Sequence, residues 1–191
     1  MIYTSVLAAV VSALAAECID STSKQAWQRL YQSSGEAGDL ATLARAARSG
    51  ELNRQDVDCW VYSSLHSQLK PRHWDALVAR YSTHKGRKVE SIGALVQLIA
   101  SHAPRLFVYK AVTAWAIPQL KGGAGKRSTD MIILPAEFYD MNTWDVAAAS
   151  EPTRRRWRAG VRKTLDDMTA EAVAEAGEIL RTEGVLLDVA A

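Results

Sequence analysis

Six basic side chains crowd into one amphipathic segment, residues 153–163. Trp157, Val161, Leu165 and Met168 recur there at helical spacing and form one apolar stripe. A helix that buries this stripe presents cations elsewhere, and arginine pairs bidentately with guanine and also binds phosphate. We therefore predict a DNA-binding helix, capped by Thr153, whose candidate contact residues are Thr153, Arg154, Arg155, Arg156, Arg158, Arg162 and Lys163.

The residues before the basic segment fit the first half of a helix-turn-helix. We expect a helix from Asn142 or Thr143 through Ala149 and then a turn at residues 150–152. A second helix that buries one stripe and offers cations elsewhere suits the recognition helix of such a motif, although the usual turn glycine is missing. The alternative is a solvated basic helix that pairs with an acidic helix, capped by Thr169, carrying Glu171, Glu175 and Glu178.

A second basic cluster, residues 84–88, lies between two amphipathic segments. We expect a turn with Gly86 in the left-handed conformation, between a helix that begins at Pro71 and another that begins near Lys88. This corner could contact DNA backbone, RNA or an acidic protein, and an ordinary hairpin with a solvated loop is an equally open interpretation. Its candidate nucleic-acid or polymerase contacts are Arg72, Lys85, Arg87 and Lys88.

Motifs for enzymes, metals and cofactors are weak. Gly125-Lys126 lacks the earlier glycine of a phosphate loop. The four histidines have no carboxylate or cysteine at metal-ligand spacing. Adjacent carboxylates at Asp166-Asp167 point apart on a helix, which favours a surface role. We expect a protein that is not an enzyme, with no catalytic residue, no metal and no cofactor.

Cysteine usage and the apolar N-terminus both bear on where the protein acts. Cys18 and Cys59 are isolated, so we expect two free thiols, a reducing compartment and a cytoplasmic location. Met1–Ala16 is apolar but has no basic residue before Lys24, which argues against a signal peptide. It is also too short to span a bilayer, so we expect a buried first helix and no membrane partner.

Helical periodicity dominates the chain and predicts an all-α helical bundle with a C-terminal helix-turn-helix. We expect one helical domain over residues 1–120, with a helix-turn-helix-like hairpin near 70–100 and a strongly apolar helix over Leu106–Ile117. A basic, glycine-rich linker over 121–130 leads to the DNA-binding region, 131–191, whose acidic last helix ends near Gly184. Five tryptophans should be at least half buried: Trp27, Trp60, Trp74, Trp115 and Trp157.

Two segments, Pro71–Leu98 (beginning PRHWDALVARYSTHKGRKVESIGAL) and Trp144–Leu165, resemble phage-type Q antitermination proteins. The resemblance implies a factor that binds double-stranded DNA near a promoter and loads onto paused RNA polymerase. It would then travel at the RNA exit channel and allow readthrough of terminators. RNA polymerase, its sigma factor and nascent RNA are the implied partners. The zinc-binding insertion of some Q proteins does not carry over, because the cysteines for it are lacking.

Only Thr153–Lys163 carries over from the resemblance as a DNA reader, with Lys85–Lys88 as a further nucleic-acid or polymerase contact. Two other functions stay open. One is a phage-encoded interaction protein or inhibitor that blocks an acidic or nucleic-acid-binding partner through its basic surfaces. The other is a plain helix-turn-helix activator of transcription initiation. Sequence-selective DNA binding separates the regulatory proteins from the inhibitor.

Overall fold

The computed structural model describes residues 3–15, 54–119, 132–145 and 149–186, and these are almost entirely helical. The α-helices are α1 (Val6–Ala15), α2 (Arg54–Gln68), α3 (Pro71–Tyr81), α4 (Lys85–Leu98), α5 (Arg105–Ala116) and α6 (Glu151–Thr182). Two short 3₁₀ turns, Ala136–Tyr139 and Met141–Thr143, precede α6. The predicted all-α class is confirmed. No helix in these ranges is both long and apolar enough to cross a membrane.

The chain divides into two compact units. The first comprises Met1–Lys70 and Ala172–Ala191, and the second comprises Pro71–Glu171. This division differs from the one predicted from the sequence, because residues 71–119 and 132–171 fall in the same unit. The predicted linker over 121–130 lies outside the described residues, as do Trp27 and Gly125-Lys126.

The first unit contains α1, α2 and the last part of α6. α1 packs against α2 through small and β-branched side chains such as Ala9, Val10 and Val61, which are fully buried. Gly177 of α6 lies against α1, where an added Cβ would come within 3.2 Å of Val6 Cγ2. The space beside Val6 therefore favours glycine, which has no side chain to accommodate.

The end of α6 is fixed by a Schellman motif at Gly184. Its φ of 68° is the left-handed conformation that glycine adopts without strain. The Gly184 amide donates to the Arg181 carbonyl at 2.9 Å, and the Val185 amide donates to the Leu180 carbonyl at 3.0 Å. The helix end predicted near Gly184 is therefore correct. Just beyond it, Leu186 forms a parallel bridge with Tyr3.

The second unit contains α3, α4, α5 and the first part of α6 around one apolar core. Pro71 occupies the first position of α3, as predicted, because its missing N–H would have no helical partner there. The predicted helix over Leu106–Ile117 is confirmed as α5. The largest fully buried side chains of this core are Leu77, Leu95, Phe107, Trp144 and Leu165.

Three boundaries predicted from the sequence are wrong. α4 begins at Lys85, so Gly86 lies in its first turn rather than in a left-handed loop, and His84 caps the helix. α6 runs without interruption to Thr182. Thr169 lies inside it and donates its hydroxyl to the Leu165 carbonyl at 2.8 Å, so it caps nothing. A threonine within a helix makes this i−4 bond as readily as a cap bond, and sequence alone does not distinguish the two.

The first helix of the expected helix-turn-helix is not formed over the residues described. Met141–Thr143 is a single 3₁₀ turn, and Trp144, Asp145 and Ala149 are not helical. Residues 146–148 lie outside the described part of the chain. Trp144 departs from the helix because its indole is fully buried and donates to the Phe138 carbonyl at 2.6 Å.

The prediction of two free thiols is wrong, since Cys59 is disulfide-bonded. The sequence holds only one other cysteine, Cys18, which lies outside the described residues. Cysteine usage therefore no longer supports a reducing compartment, since disulfides persist mainly in oxidising ones. The predicted burial of Trp60, Trp74, Trp115 and Trp157 is confirmed, as each is more than half buried.

Candidate nucleic-acid interface

The basic helix starts two residues earlier than expected. α6 begins at Glu151, and the Ser150 carbonyl accepts from the Arg154 amide at 3.1 Å. Thr153 is therefore inside the first turn, where its hydroxyl lies 2.8 Å from that of Ser150. Pro152 fits the first turn because proline has no N–H to leave unpaired. The start of α6 is thus well specified, but by Ser150 rather than by Thr153.

An aromatic cluster under the first turns of α6 sets the direction of the basic side chains. The Phe107 ring meets the Trp144 and Trp157 rings edge to face, with centroids 5.4 Å and 5.5 Å apart. Such contacts contribute roughly 0.5–1.5 kcal/mol each beyond the area they bury. Because Trp157 is held against Phe107, the apolar stripe of α6 faces the core of its unit, as the sequence predicted.

The six basic residues of α6 do not share one face. At 100° per residue, Arg155, Arg158 and Arg162 fall on one flank of the buried stripe, whereas Arg156 and Lys163 fall on the opposite, solvent side. Arg156 and Lys163 are exposed and make no hydrogen bond or ion pair within the part of the chain that the structure describes. The basic segment therefore offers two separate cationic surfaces.

Arg154 belongs to neither surface. It lies in line with the buried stripe, and its Nε atom is buried without a hydrogen-bond partner among the described residues. A buried donor left unpaired costs about 1–3 kcal/mol. Replacing Arg154 would therefore alter packing as well as charge, which makes it a poor residue for testing DNA contact.

The flank arginines are each held in place. Arg155 forms an ion pair with Glu151 at 2.6 Å. The Arg158 guanidinium lies over the Trp144 ring, 5.4 Å from its centroid. Arg162 Nε donates to Asp166 Oδ2 at 3.3 Å, and Asp166 Oδ1 accepts from the Trp115 indole at 2.8 Å. Asp166 was assigned only a surface role from the sequence, yet it anchors both an arginine and a tryptophan.

Two adjoining surface pockets lie along this flank, and together we call them the arginine groove. The first has a volume of 450 Å³, and its lining includes Asp140, Glu151, Arg155, Arg158 and Arg162. The second has a volume of 420 Å³, and its lining includes Arg80, Trp115, Tyr139, Arg158 and Arg162. Tyr139, Arg158 and Arg162 border both pockets, so the pockets are continuous.

Arg80 enters the groove from α3, more than seventy residues before α6 in the sequence. Its guanidinium stacks 5.4 Å from the centre of the Trp115 ring and donates to the Trp115 carbonyl. Across the groove, the Tyr139 hydroxyl donates to the Ile117 carbonyl at 2.7 Å, and burial raises the pKa of Tyr139. Sequence reasoning missed both residues, because nothing in their local pattern indicates that the fold brings them to α6.

The second basic cluster divides into structural and exposed members. Lys88 Nζ donates to the Ala79 and Arg80 carbonyls at 2.7 Å and 3.3 Å, so it caps the end of α3. Burial, with a smaller contribution from the Arg80 charge, lowers the pKa of Lys88 to about 8. Lys85 is exposed and Arg87 is half-buried. Of the predicted cluster, Lys85 and Arg87 are the members suited to a partner.

Arg72 is not part of either basic site. Its guanidinium lies 3.7 Å from Glu171, which also lies 3.3 Å from the buried His73. Glu171 follows Arg158 by thirteen residues on α6, a separation of about 20 Å along the helix axis. The structure therefore does not bring Arg72 to the arginine groove.

Comparison with protein-family models, curated proteins and solved structures found no significant match to this chain. Within the described ranges, no three histidine, cysteine, aspartate or glutamate side chains are grouped closely enough to hold a metal ion.

Proposed function

We propose that the chain is a nucleic-acid-binding regulator of transcription, and specifically a Q-type antitermination factor. The observation that carries the nucleic-acid part is the arginine groove, where α3 and α6 gather four guanidinium groups around two pockets. Arginine presents a planar fork of N–H donors that matches phosphate geometry. The antitermination part rests on the resemblance of Pro71–Leu98 and Trp144–Leu165 to Q proteins.

The distribution of charge between the two units supports a polyanionic partner. Over their full sequences, the second unit carries 16 basic and 10 acidic side chains, and the first carries 7 and 11. A net charge of +2 for the whole chain hides this separation. Surface cations concentrated on one unit attract nucleic acid over distances comparable to the Debye length.

The arginines also lie where helix stability alone would not place them. Arg154 and Arg158 are four residues apart, as are Arg158 and Arg162, and like charges at this spacing destabilise a helix by roughly 0.2–0.5 kcal/mol per pair. Arg154 also lies near the positive end of the helix dipole. A bound phosphate would relieve this repulsion, which explains a cluster that the fold itself does not require.

In the proposed mechanism, α6 and Arg80 hold duplex DNA near a promoter while the protein loads onto paused RNA polymerase in the cytoplasm. Lys85 and Arg87, at the start of α4, supply a contact for the polymerase or for emerging RNA. Separate surfaces allow DNA to be released while the polymerase is retained, which readthrough at a distant terminator requires.

Neither alternative gains comparable support. The plain helix-turn-helix activator depended on a helix before α6 that the described residues do not form. The interaction protein is favoured by the ion pairs of Arg155 and Arg162, which partly neutralise two groove cations internally. Both pairs are solvent-exposed, however, and such pairs contribute about 0–1 kcal/mol, which a phosphate can outcompete.

Single-round transcription in vitro tests the proposal. On a template with a promoter-proximal binding element and a downstream intrinsic terminator, the protein should raise readthrough without raising total transcripts. Lys85→Glu with Arg87→Glu should impair readthrough more than DNA binding. Arg105→Glu, an exposed position at the start of α5, provides a control for charge reversal elsewhere. More transcripts with unchanged readthrough would show a regulator of initiation instead.

A further inference from the structure

The two pockets of the arginine groove differ in their charge. The pocket that includes Arg80, Arg158 and Arg162 has no carboxylate in its lining, so three guanidinium groups face it without an acid. The adjoining pocket adds Arg155 but also includes Asp140 and Glu151. The first of these pockets is therefore the strongest seat for an anion in the groove, and the second is a weaker one beside it.

Most hydrogen-bond donors around the stronger pocket are unused. A guanidinium carries five N–H donors. Arg158 makes no hydrogen bond or ion pair among the described residues, although it stacks on Trp144. Arg80 uses a donor on the Trp115 carbonyl, and Arg162 uses one on Asp166. Stacking on Trp115 and contact with Asp166 fix the directions of the remaining donors, so little side-chain freedom is lost when an anion binds.

The shape of the groove favours phosphate over a nucleobase. A stacked base needs an open aromatic face. Arg80 lies over the Trp115 ring, and Arg158 lies over the Trp144 ring, which is fully buried. Donors are thus offered without an aromatic platform. This is the pattern of contacts that fix a nucleic-acid strand by its backbone rather than read its bases.

We propose that the arginine groove holds successive phosphates of one nucleic-acid strand, the first between Arg80, Arg158 and Arg162 and the next beside Arg155. This inference rests on the proposed nucleic-acid binding and makes it specific. It assigns phosphate contact to one flank of α6 together with α3. It leaves Arg156 and Lys163, on the opposite side of the helix, outside the contact.

The test compares two double variants of α6 with the same change in charge. Arg158→Gln/Arg162→Gln removes two groove cations, and Arg156→Gln/Lys163→Gln removes two from the opposite face. Affinity for a short mixed-sequence duplex is measured by fluorescence anisotropy over a range of salt. The groove variant should bind about tenfold more weakly to any sequence, and the slope of log affinity against log salt should fall by about one for each phosphate lost. The opposite-face variant should stay within about twofold of the parent protein and keep its salt slope.

A second variant guards against misfolding of the first. Arg158→Lys keeps the charge but loses the fork of donors, and it should still weaken binding several-fold while thermal melting stays unchanged. Equal losses for the two double variants would show diffuse attraction and overturn the groove assignment. So would unchanged binding by the groove variant, or displacement of DNA by polyglutamate as effectively as by unlabelled duplex, which would indicate an acidic protein partner.

The same variants separate this inference from the proposed function. If the groove variant loses DNA but the parent protein fails to raise terminator readthrough, the groove stands and antitermination falls. If the parent raises readthrough while the groove variant binds and acts normally, antitermination stands and the groove assignment falls.

Discussion

The two units use their charged and polar residues for different purposes. In the first unit, the Tyr3 hydroxyl donates to the Asp58 carboxylate, and both residues are more than nine-tenths buried. In the second unit, Arg155, Arg158 and Arg162 are exposed around open pockets. Charge is thus buried and paired where it stabilises the fold. It is exposed and only partly paired where we propose that it binds a partner.

The units also differ in how their cores are held. The first packs small side chains such as Ala172, Ala176 and Gly177 and contains the disulfide-bonded Cys59. The second is packed around the large rings of Phe107 and Trp144 and has no cysteine in its sequence. A unit with small side chains buries less apolar area per residue, so a covalent crosslink matters more to it.

Reduction of the disulfide should therefore have the largest effect, and only on the first unit. Cys18 and Cys59 are about 40 positions apart, and closing a loop of that length stabilises a fold by about 4 kcal/mol in the chain-entropy description. With reductant, hydrogen exchange should speed up in α2 but stay slow in α4 and α5. Cys59→Ser should reproduce the effect without reductant and be insensitive to it. Equal loss of protection in both units would contradict the comparison.

A smaller effect with opposite signs in the two units is expected in alkaline solution. Burial, the hydrogen bond to Asp58 and the Asp58 charge raise the pKa of Tyr3 above its usual value of 10.0. The unfolded chain then releases this proton first, so the stabilisation by Tyr3 is full below pH 10 and is lost above it. Lys88, whose pKa falls to about 8 from 10.5, behaves differently. Between these values the unfolded chain binds the extra proton, so the second unit gains stability as pH rises.

Two variants isolate these contributions in urea unfolding across the alkaline range. Tyr3→Phe should flatten the loss of stability above pH 10. Lys88→Met should remove the gain that begins near pH 8 and should also destabilise the second unit at neutral pH, because the Ala79 and Arg80 carbonyls lose their donor. A Tyr3→Phe protein with an unchanged alkaline profile would show that Tyr3 does not titrate as its burial implies.

The helices were predictable from the sequence where local signals decide them. Pro71 and Gly184 mark helix ends through backbone constraints that hold in any fold. The apolar stripe of α6 is set by a period of 3.6 residues, so its buried face was also predictable. Continuity across Thr169 was not predictable, because the change from basic to acidic residues there suggests a new helix while nothing in the backbone interrupts the old one.

The candidate site was only half predictable for a related reason. Its α6 members are adjacent in sequence and form a visible basic cluster. Arg80 and Trp115 join them only through the packing of α3 and α5 beside α6, which are tertiary contacts with no local pattern. Likewise, Trp144 was assigned to a helix because its neighbours are alanines. Burial of its indole and the bond to the Phe138 carbonyl outweigh that local preference.

The smallest expected effect is also the one that most sharply separates charges used for binding from charges used for stability. Glu151 competes with any phosphate for Arg155, at 2.6 Å, and both side chains are mostly exposed. Glu151→Gln should therefore lower the free energy of unfolding by only about 0.5 kcal/mol, the contribution of an exposed i,i+4 pair. It should strengthen duplex binding by roughly two- to threefold, since a like charge is removed beside the phosphate. Glu178→Gln is the matched control, because it frees Arg181 from a similar i,i+3 pair in the first unit. It should change stability by a similar amount and leave duplex affinity unchanged. Equal gains in affinity from both substitutions would show that DNA responds to net charge alone, and the contrast between the two units would then fail.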